Sequence, residues 1–430
     1  MLRAYPQPAA LPPRPAPSRG GDDGGMDADA VFFREWEARA PGERRSLRRA
    51  RALADALGVL PPDAPVLAVV GSKGKGTAAV YASAYLAAAG LRVVTVTSPG
   101  LRTNRDRIRV DGRAVTAGEL GALAAELDRR AAGLPARSDG YLSPAGLFML
   151  AGLLRARSAG ADAFVLEAGM GGRSDEVSLV PADVAAITPV FLEHAGVLGD
   201  TPAEIAREKR GVAGPGTRLV SAPQSPEVTG ALAPVEVVRP GDPAFADVLP
   251  SGLGRTSAEL GIVAARRLLG RDAPAERARE VLASVVLPGR LSAHPVPGSD
   301  AEVLVDSAID RTGVRAALAA ARRRWGGVDH VLVCLPDHKD LDGAVAALDG
   351  LAVTFVRLPL PHLRFTRPLP SGWRAVEAAA VTPAAIAALG RRVLALGTVY
   401  FTGAVLDAVD ADTERLFVSA PARRPPGSAA

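Results

Sequence analysis

The run Val66-Leu67-Ala68-Val69-Val70-Gly71-Ser72-Lys73-Gly74-Lys75-Gly76-Thr77 decides the fold class. Five apolar residues in a row predict a strand buried on both faces, as in a parallel sheet. A glycine-rich turn follows, then an alanine-rich helix expected at 77–89. At the start of such a helix, backbone N–H groups and the helix dipole converge on an anion, and glycines let the chain curl round phosphate oxygens. Lys75 is placed to reach the β- and γ-phosphates of a nucleotide, with Thr77 at the helix start. The strict GxxxxGK[ST] spacing is not met, because Val69 stands where its first glycine would be and Gly76 separates Lys75 from Thr77. A plain strand–turn–helix connection remains open at this point, although it needs fewer glycines and no paired lysines.

Outward from this run, strands are expected at 92–97, 163–167, 183–188 and 218–222, with helix-like stretches between most of them and another at 27–57. Alternation of this kind means a wound α/β sheet. The segment 224–251 is proline-rich and weakly patterned, and a helix is expected at 256–269. Leu287-Pro288-Gly289-Arg290 reads as a hinge. Beyond it, strands at 303–305, 330–335, 352–358 and 392–396 and helices at 313–324, 342–348 and 382–389 predict a second, smaller α/β unit.

A chain of 430 residues suits two domains plus tails. Residues 1–26 and 419–430 read as disordered ends; the first has no signal-peptide pattern, and Met26 is an alternative start. The net charge is +5. Arg44-Arg45 and Arg322-Arg323-Arg324 lie in helical-looking segments without interleaved aromatics, which predicts solvated helix faces and no nucleic-acid partner. No apolar run reaches the length of about 18 residues that a membrane span needs, so no membrane association is expected. The single cysteine, Cys334, sits in an apolar run and reads as a buried strand residue in a reducing cytoplasm.

Three further stretches carry chemistry. Thr97-Ser98-Pro99 closes the second strand, where carboxyl ends border the ligand crevice of a wound sheet; a Ser98 hydroxyl there can coordinate magnesium, although alone the stretch reads as a turn. Glu167 ends an apolar strand and runs into Ala168-Gly169-Met170-Gly171-Gly172. A carboxylate so placed calls for a metal or arginine partner, or caps the next turn. His194 follows the 183–188 strand, and Lys209 lies on a charged helix that alone reads as a solvated face.

Together these residues resemble the folylpolyglutamate synthases, within the Mur-ligase superfamily. The matching pieces come in the family's order: GSKGKGT against GTNGKGS, TSP, Asp106-Arg107-Ile108-Arg109-Val110-Asp111-Gly112 against an ERIRING-like run, LEAGMGGRSD against LEVGLGGRLD, EHAGVLGDTPAEIAREKRG against DHTEILGDTLEEIAREKAG, PGRL, Asp306, and GTVYFTG. The resemblance implies an N-terminal P-loop ATPase domain with a wound parallel sheet at 27–289 and a Rossmann-like domain at 290–418, closing on ATP between them. It implies that Gly71, Ser72, Lys73, Gly74, Lys75, Gly76 and Thr77 hold the ATP phosphates, with Arg290 and Asp306 reaching ATP across the hinge. Ser98, Glu167 and His194 would be magnesium ligands, with Lys209 as a carbamate at a second magnesium; Lys75, His194 and Lys209 would serve catalysis. The implied activity is carboxylate activation as an acyl phosphate, followed by attack of an amino acid amine, glutamate's in the family, by a cytoplasmic monomer.

The sequence also departs from the pattern. The DGAHNP run reads Asp306-Ser307-Ala308-Ile309-Asp310-Arg311, Lys73 replaces an asparagine, and TSPH ends in Gly100. The FExxT stretch near the folate site becomes Ser143-Pro144-Ala145-Gly146-Leu147, without an acid, and the HQxxN segment near the adenine becomes Arg255-Thr256-Ser257-Ala258-Glu259. Three readings stay open: glutamate addition to a folate, a paralogous amide ligase for a non-folate natural-product carboxylate, and a nucleotide-binding protein without turnover.

Overall fold

Strand β1 (Val66–Val70) is buried at every position and lies near the middle of an eight-stranded sheet. Its companions are β2 (Val93–Val96), β3 (Ile108–Val110), β4 (Arg113–Ala114), β5 (Ala163–Glu167), β6 (Val184–Ile187), β7 (Arg218–Ser221) and β8 (Glu236–Val237), in the order β4-β3-β2-β5-β1-β6-β7-β8. β2, β5, β1, β6, β7 and β8 run parallel, so their carboxyl ends share one edge; β3 and β4 add an antiparallel hairpin. This is a computed structural model, and it describes residues 27–239, 241, 245–360 and 363–419. The expected leader at 1–26, and the expected tail beyond its first residue, lie outside the described residues.

Apolar layers cover both faces of this sheet. The helix Lys75–Ala88 is buried at every position except Lys75, because it is wedged between the sheet and the helix Leu253–Leu269. Gly261 permits that wedge: a β-carbon there would lie 2.2 Å from the Ala78 carbonyl oxygen. Small residues let two helix backbones approach this closely, which explains the alanine-rich sequence.

A second sheet contains β9 (Arg290–Pro295), β10 (Glu302–Asp306), β11 (His330–Cys334), β12 (Val353–Arg357), β13 (Arg374–Glu377) and β14 (Arg392–Gly397), in the order β13-β12-β11-β14-β10-β9. All its pairings are parallel except β9 against β10. Cys334 is fully buried, and burial pushes its thiol to about 12, as its apolar run implied. Among the described residues, no helix is long and apolar enough to cross a membrane.

Several expectations needed revision. The stretch at 27–57 is two helices, Ala28–Glu37 and Leu47–Leu57, capped separately by Asp27 and Ser46 and parted by a turn at Gly42 (φ 80°). The weakly patterned stretch holds the helix Pro226–Leu232 and β8, both too short to show a period. Arg322, Arg323 and Arg324 do lie on an exposed helix end, but Arg45 does not. It points inward, pairing with Asp175 at 3.2 Å and Glu176 at 3.0 Å and donating to the Met170 carbonyl at 2.6 Å.

The end of the second unit also differs. Ala411 packs in the second lobe, but the chain then returns to the first. Ala114 N donates to Glu414 O at 2.8 Å, Leu416 N to Gly112 O at 2.9 Å, and Val286 N to Leu416 O at 2.8 Å. Phe417 is buried against Gly112, where a β-carbon would lie 2.8 Å from its ring.

Candidate active site

The loop after β1 is shaped by two glycines that no other residue could replace without strain. Gly71 has φ 138°, and a β-carbon there would lie 1.9 Å from Thr188 Oγ1. Gly74 has φ 86°, and its β-carbon would lie 2.1 Å from Ser257 Oγ. Gly74 is also the N-cap of the helix Lys75–Ala88, and no side chain caps that end. The first N–H groups of the helix thus face the cleft with its positive dipole end behind them, which suits an anion.

Two lysines converge on one carbonyl of this loop. Lys75 Nζ donates to Gly71 O at 3.1 Å and Lys209 Nζ to the same oxygen at 2.9 Å. Lys209 is 1% exposed and meets Glu193 at 2.8 Å, so it is no part of a solvated face. The helix Pro202–Arg210, which carries it, starts with a Thr201–Glu204 capping box and Pro202 at its first turn. Burial pushes the Lys209 ammonium below the ordinary lysine value, against the opposing charge of Glu193. Burial would raise Glu193, but the charge and hydrogen bond of Lys209, with Ser72 and Lys75, hold it below the usual carboxylate range.

Glu167 ends β5 beside the loop, 7% exposed. Burial pushes its carboxyl up, opposed by Lys75, Arg290, the Ser98 amide and Arg107. Ser98 N donates to Glu167 Oε2 at 3.1 Å, and Arg107 Nη1 donates to Ser98 Oγ at 3.2 Å. Arg290, the first residue of β9, reaches across from the second lobe and donates to Thr77 Oγ1 at 3.2 Å. A β-carbon on Gly76 would lie 2.7 Å from Arg290 Nη2 and 3.2 Å from Glu167 Oε2, so both side chains press on the loop at Gly76. Asp306 turns its carboxylate to the Leu291 amide at 2.8 Å; burial pushes it to about 6, with Leu291 and Arg290 opposing.

The geometry thus gathers Lys75, Thr77, Ser98, Glu167, Lys209 and Arg290 around the loop. Lys73 is turned to an ion pair with Asp310. Ser72 exchanges hydrogen bonds with the Phe191 backbone. His194 stands on an exposed turn at φ 48°; partial desolvation of its ring pushes its pKa below the ordinary histidine value, with Glu193 opposing and Lys339, Lys209 and Lys75 adding to the shift. Ser98 and Glu167 fit a hard cation, since a buried carboxylate with a hydroxyl beside it supplies oxygen ligands. The Lys209 ammonium does not, because its nitrogen donates to Gly71 and Glu193; a ligand role there requires a carbamate. Glu193, Arg107 and Asp310 join the site without having been assigned roles, although all three lie inside motif stretches.

The altered stretches have structural answers. A β-carbon on Gly146 would lie 2.6 Å from Glu176 Cγ. Glu176, 1% exposed, accepts from Ser143 Oγ at 2.6 Å, so its carboxylate fills the space at the helix start where the stretch lacks an acid. Ser257 packs on Gly74, while the buried Glu259 accepts from Gly241 N at 3.1 Å, with Arg255 3.7 Å away.

No protein-family profile matches the chain. It is 31% identical over 264 residues to the dihydrofolate synthase/folylpolyglutamate synthase of Escherichia coli, covering 57% of this chain and 61% of that protein. It is 40% identical over 158 residues to a probable bifunctional folylpolyglutamate synthase/dihydropteroate synthase of Haloferax volcanii, covering 36% of this chain and 18% of that protein. The chain therefore spans less than two thirds of these curated relatives. The structure of Mycobacterium tuberculosis folylpolyglutamate synthase complexed with ADP superimposes with a TM-score of 0.73 at 23% identity, covering 90% of this chain and all of that one. The chain is thus similar in sequence to dihydrofolate synthase/folylpolyglutamate synthases and has the two-lobed α/β fold of a folylpolyglutamate synthase.

Proposed function

We propose that the chain is an ATP-dependent ligase that activates a carboxylate as an acyl phosphate and joins it to an amino acid amine, with a folate and glutamate as the leading pair. The observation that carries this reading is the uncapped helix start at Gly74, with Lys75 and Arg290 beside it and the buried Glu167 opposite. A carboxylate is a poor acyl donor because its oxygen leaves badly. Phosphorylation by the γ-phosphoryl group of ATP makes phosphate the leaving group, and the amine then attacks the acyl carbon and expels it.

In this reading the loop amides and Lys75 bind the β- and γ-phosphates and offset the charge that builds on the transferred group. Lys209, itself paired with Glu193, holds the loop carbonyl in place from beneath. Arg290 adds charge from the second lobe, and the two lobes together keep water from the acyl phosphate. Magnesium, held by Ser98 and Glu167, would neutralise phosphate charge when bound. The enzyme acts as a cytoplasmic monomer on small molecules.

The test is phosphate release from ATP by the purified, folded chain. Release that requires both a folate and glutamate supports the leading pair, and its absence sinks it. The absence of an acid from Ser143-Pro144-Ala145-Gly146-Leu147, the stretch that resembles the one near the folate site, favours a second reading, in which the acid is not a folate; release with other carboxylates in a panel selects it. Binding of ATP without turnover on any acid would select a nucleotide-binding protein that has lost catalysis.

A further inference from the structure

Two positions where the sequence departs from the pattern it resembles meet in space. Lys73 replaces one asparagine, in the phosphate loop; Asp310 replaces another, in the second lobe. Their side chains form an ion pair across the cleft, joining residues 237 positions apart. Each has a second neighbour. Asp310 is the N-cap of the helix Arg311–Trp325 and accepts from Gly313 N at 2.8 Å, while Lys73 lies 5.7 Å from the centre of the Phe191 ring. The pair stands on the same loop that Arg290 grips through Thr77.

We propose that Lys73 and Asp310 form a clasp that holds the second lobe over the phosphate loop in the ligand-free chain, and that a phosphoanion entering the loop displaces it by taking the place of Asp310 as the partner of Lys73. The anion attracts Lys73 and repels Asp310, so both effects act in the same direction. The side chains are 48% and 31% exposed, so the pair is screened by salt and within reach of a competing charge. Ligand binding and clasp closure are then linked equilibria, and weakening one strengthens the other. Only the identity of the anion as ATP rests on the function proposed above.

The test uses the full chain with spin labels at Ala122→Cys and Arg315→Cys, both at exposed helix positions; the native Cys334 is fully buried. Asp310→Asn keeps a helix-capping side chain and removes only the charge. Without ligand, Asp310→Asn and Lys73→Asn should each broaden the interlobe distance distribution, and the double variant should be no broader than either single. The swap Lys73→Asp/Asp310→Lys should narrow it again. Asp310→Asn should also tighten MgATP binding at low salt by about fivefold. Unchanged distributions in both single variants, additive broadening in the double, or weaker MgATP binding by Asp310→Asn would overturn the clasp. If the parent chain binds no MgATP, the proposed function fails, and the ligand-free distances alone decide the clasp.

Discussion

Glu193→Gln removes the carboxylate that meets the Lys209 ammonium at 2.8 Å and leaves that ammonium, 1% exposed, against the Gly71 carbonyl. Removing one partner of a buried ion pair costs about 3–5 kcal/mol, because the other charge stays buried and uncompensated. The Glu193 side chain is 19% exposed and a glutamine oxygen still accepts a hydrogen bond. Those two allowances lower the expected loss to about 2–3 kcal/mol near neutral pH. The loss should depend on pH in a definite direction. Burial already holds Lys209 below its ordinary value in the folded chain, so the unfolded chain binds more protons between the two values and stability rises with pH there. Without Glu193 the folded value falls further and Lys209 sheds its proton sooner. The cost of the substitution should therefore be greatest at about pH 7 and shrink toward about pH 10. Urea unfolding followed by circular dichroism, parent against variant at both pH values, measures this. Glu193→Gln/Lys209→Met, which removes both charges, should recover most of the loss. A loss below about 1 kcal/mol, typical of exposed pairs, or a double variant no more stable than the single, would refute the argument.

Other substitutions probe the rest of the site. Lys75→Ala should abolish ATP turnover while leaving the fold intact by circular dichroism; retained turnover would show that the loop does not hold the phosphates. Gly71→Ala forces a β-carbon 1.9 Å from Thr188 Oγ1 at φ 138°, and should cost more than about 2 kcal/mol in urea unfolding. Arg290→Ala removes a cation that opposes the raised pKa of Glu167. Glu167 must be ionised to serve as a ligand, so the acid limb of the phosphate-release profile should move to higher pH; a shift to lower pH would contradict the geometry. Gly146→Ala, with its β-carbon 2.6 Å from Glu176 Cγ, should destabilise the chain measurably, and more than Gly118→Ala, which meets nothing within 4 Å.

How much was legible in the sequence depended on whether the cause was local. β1 and β5 are legible at the bounds they have because strands buried on both faces appear as unbroken apolar runs. β13 is not legible because Arg374-Ala375-Val376-Glu377 is a largely exposed edge strand with no apolar alternation. The short hairpin β3–β4 lacks a long period for the same kind of reason. Gly74, Lys75 and Glu167 each lie in a local motif, so they could be marked as candidates from the sequence. The partnerships could not. Glu193 pairs with Lys209 only because the turn after β6 folds back on the helix Pro202–Arg210, and Glu176 fills the space at Gly146 from a neighbouring element. Such pairings are set by the packing of elements distant in sequence.

The return of residues 413–417 to the first lobe makes the second lobe an insertion, entered at Arg290 and left beyond Ala411. The first lobe is then discontinuous along the chain. Cutting after the hinge would not release it whole: β4 would lose its Glu414 partner and the core would lose Phe417. The two lobes are thus joined by two chain crossings, one on each side of the inserted segment.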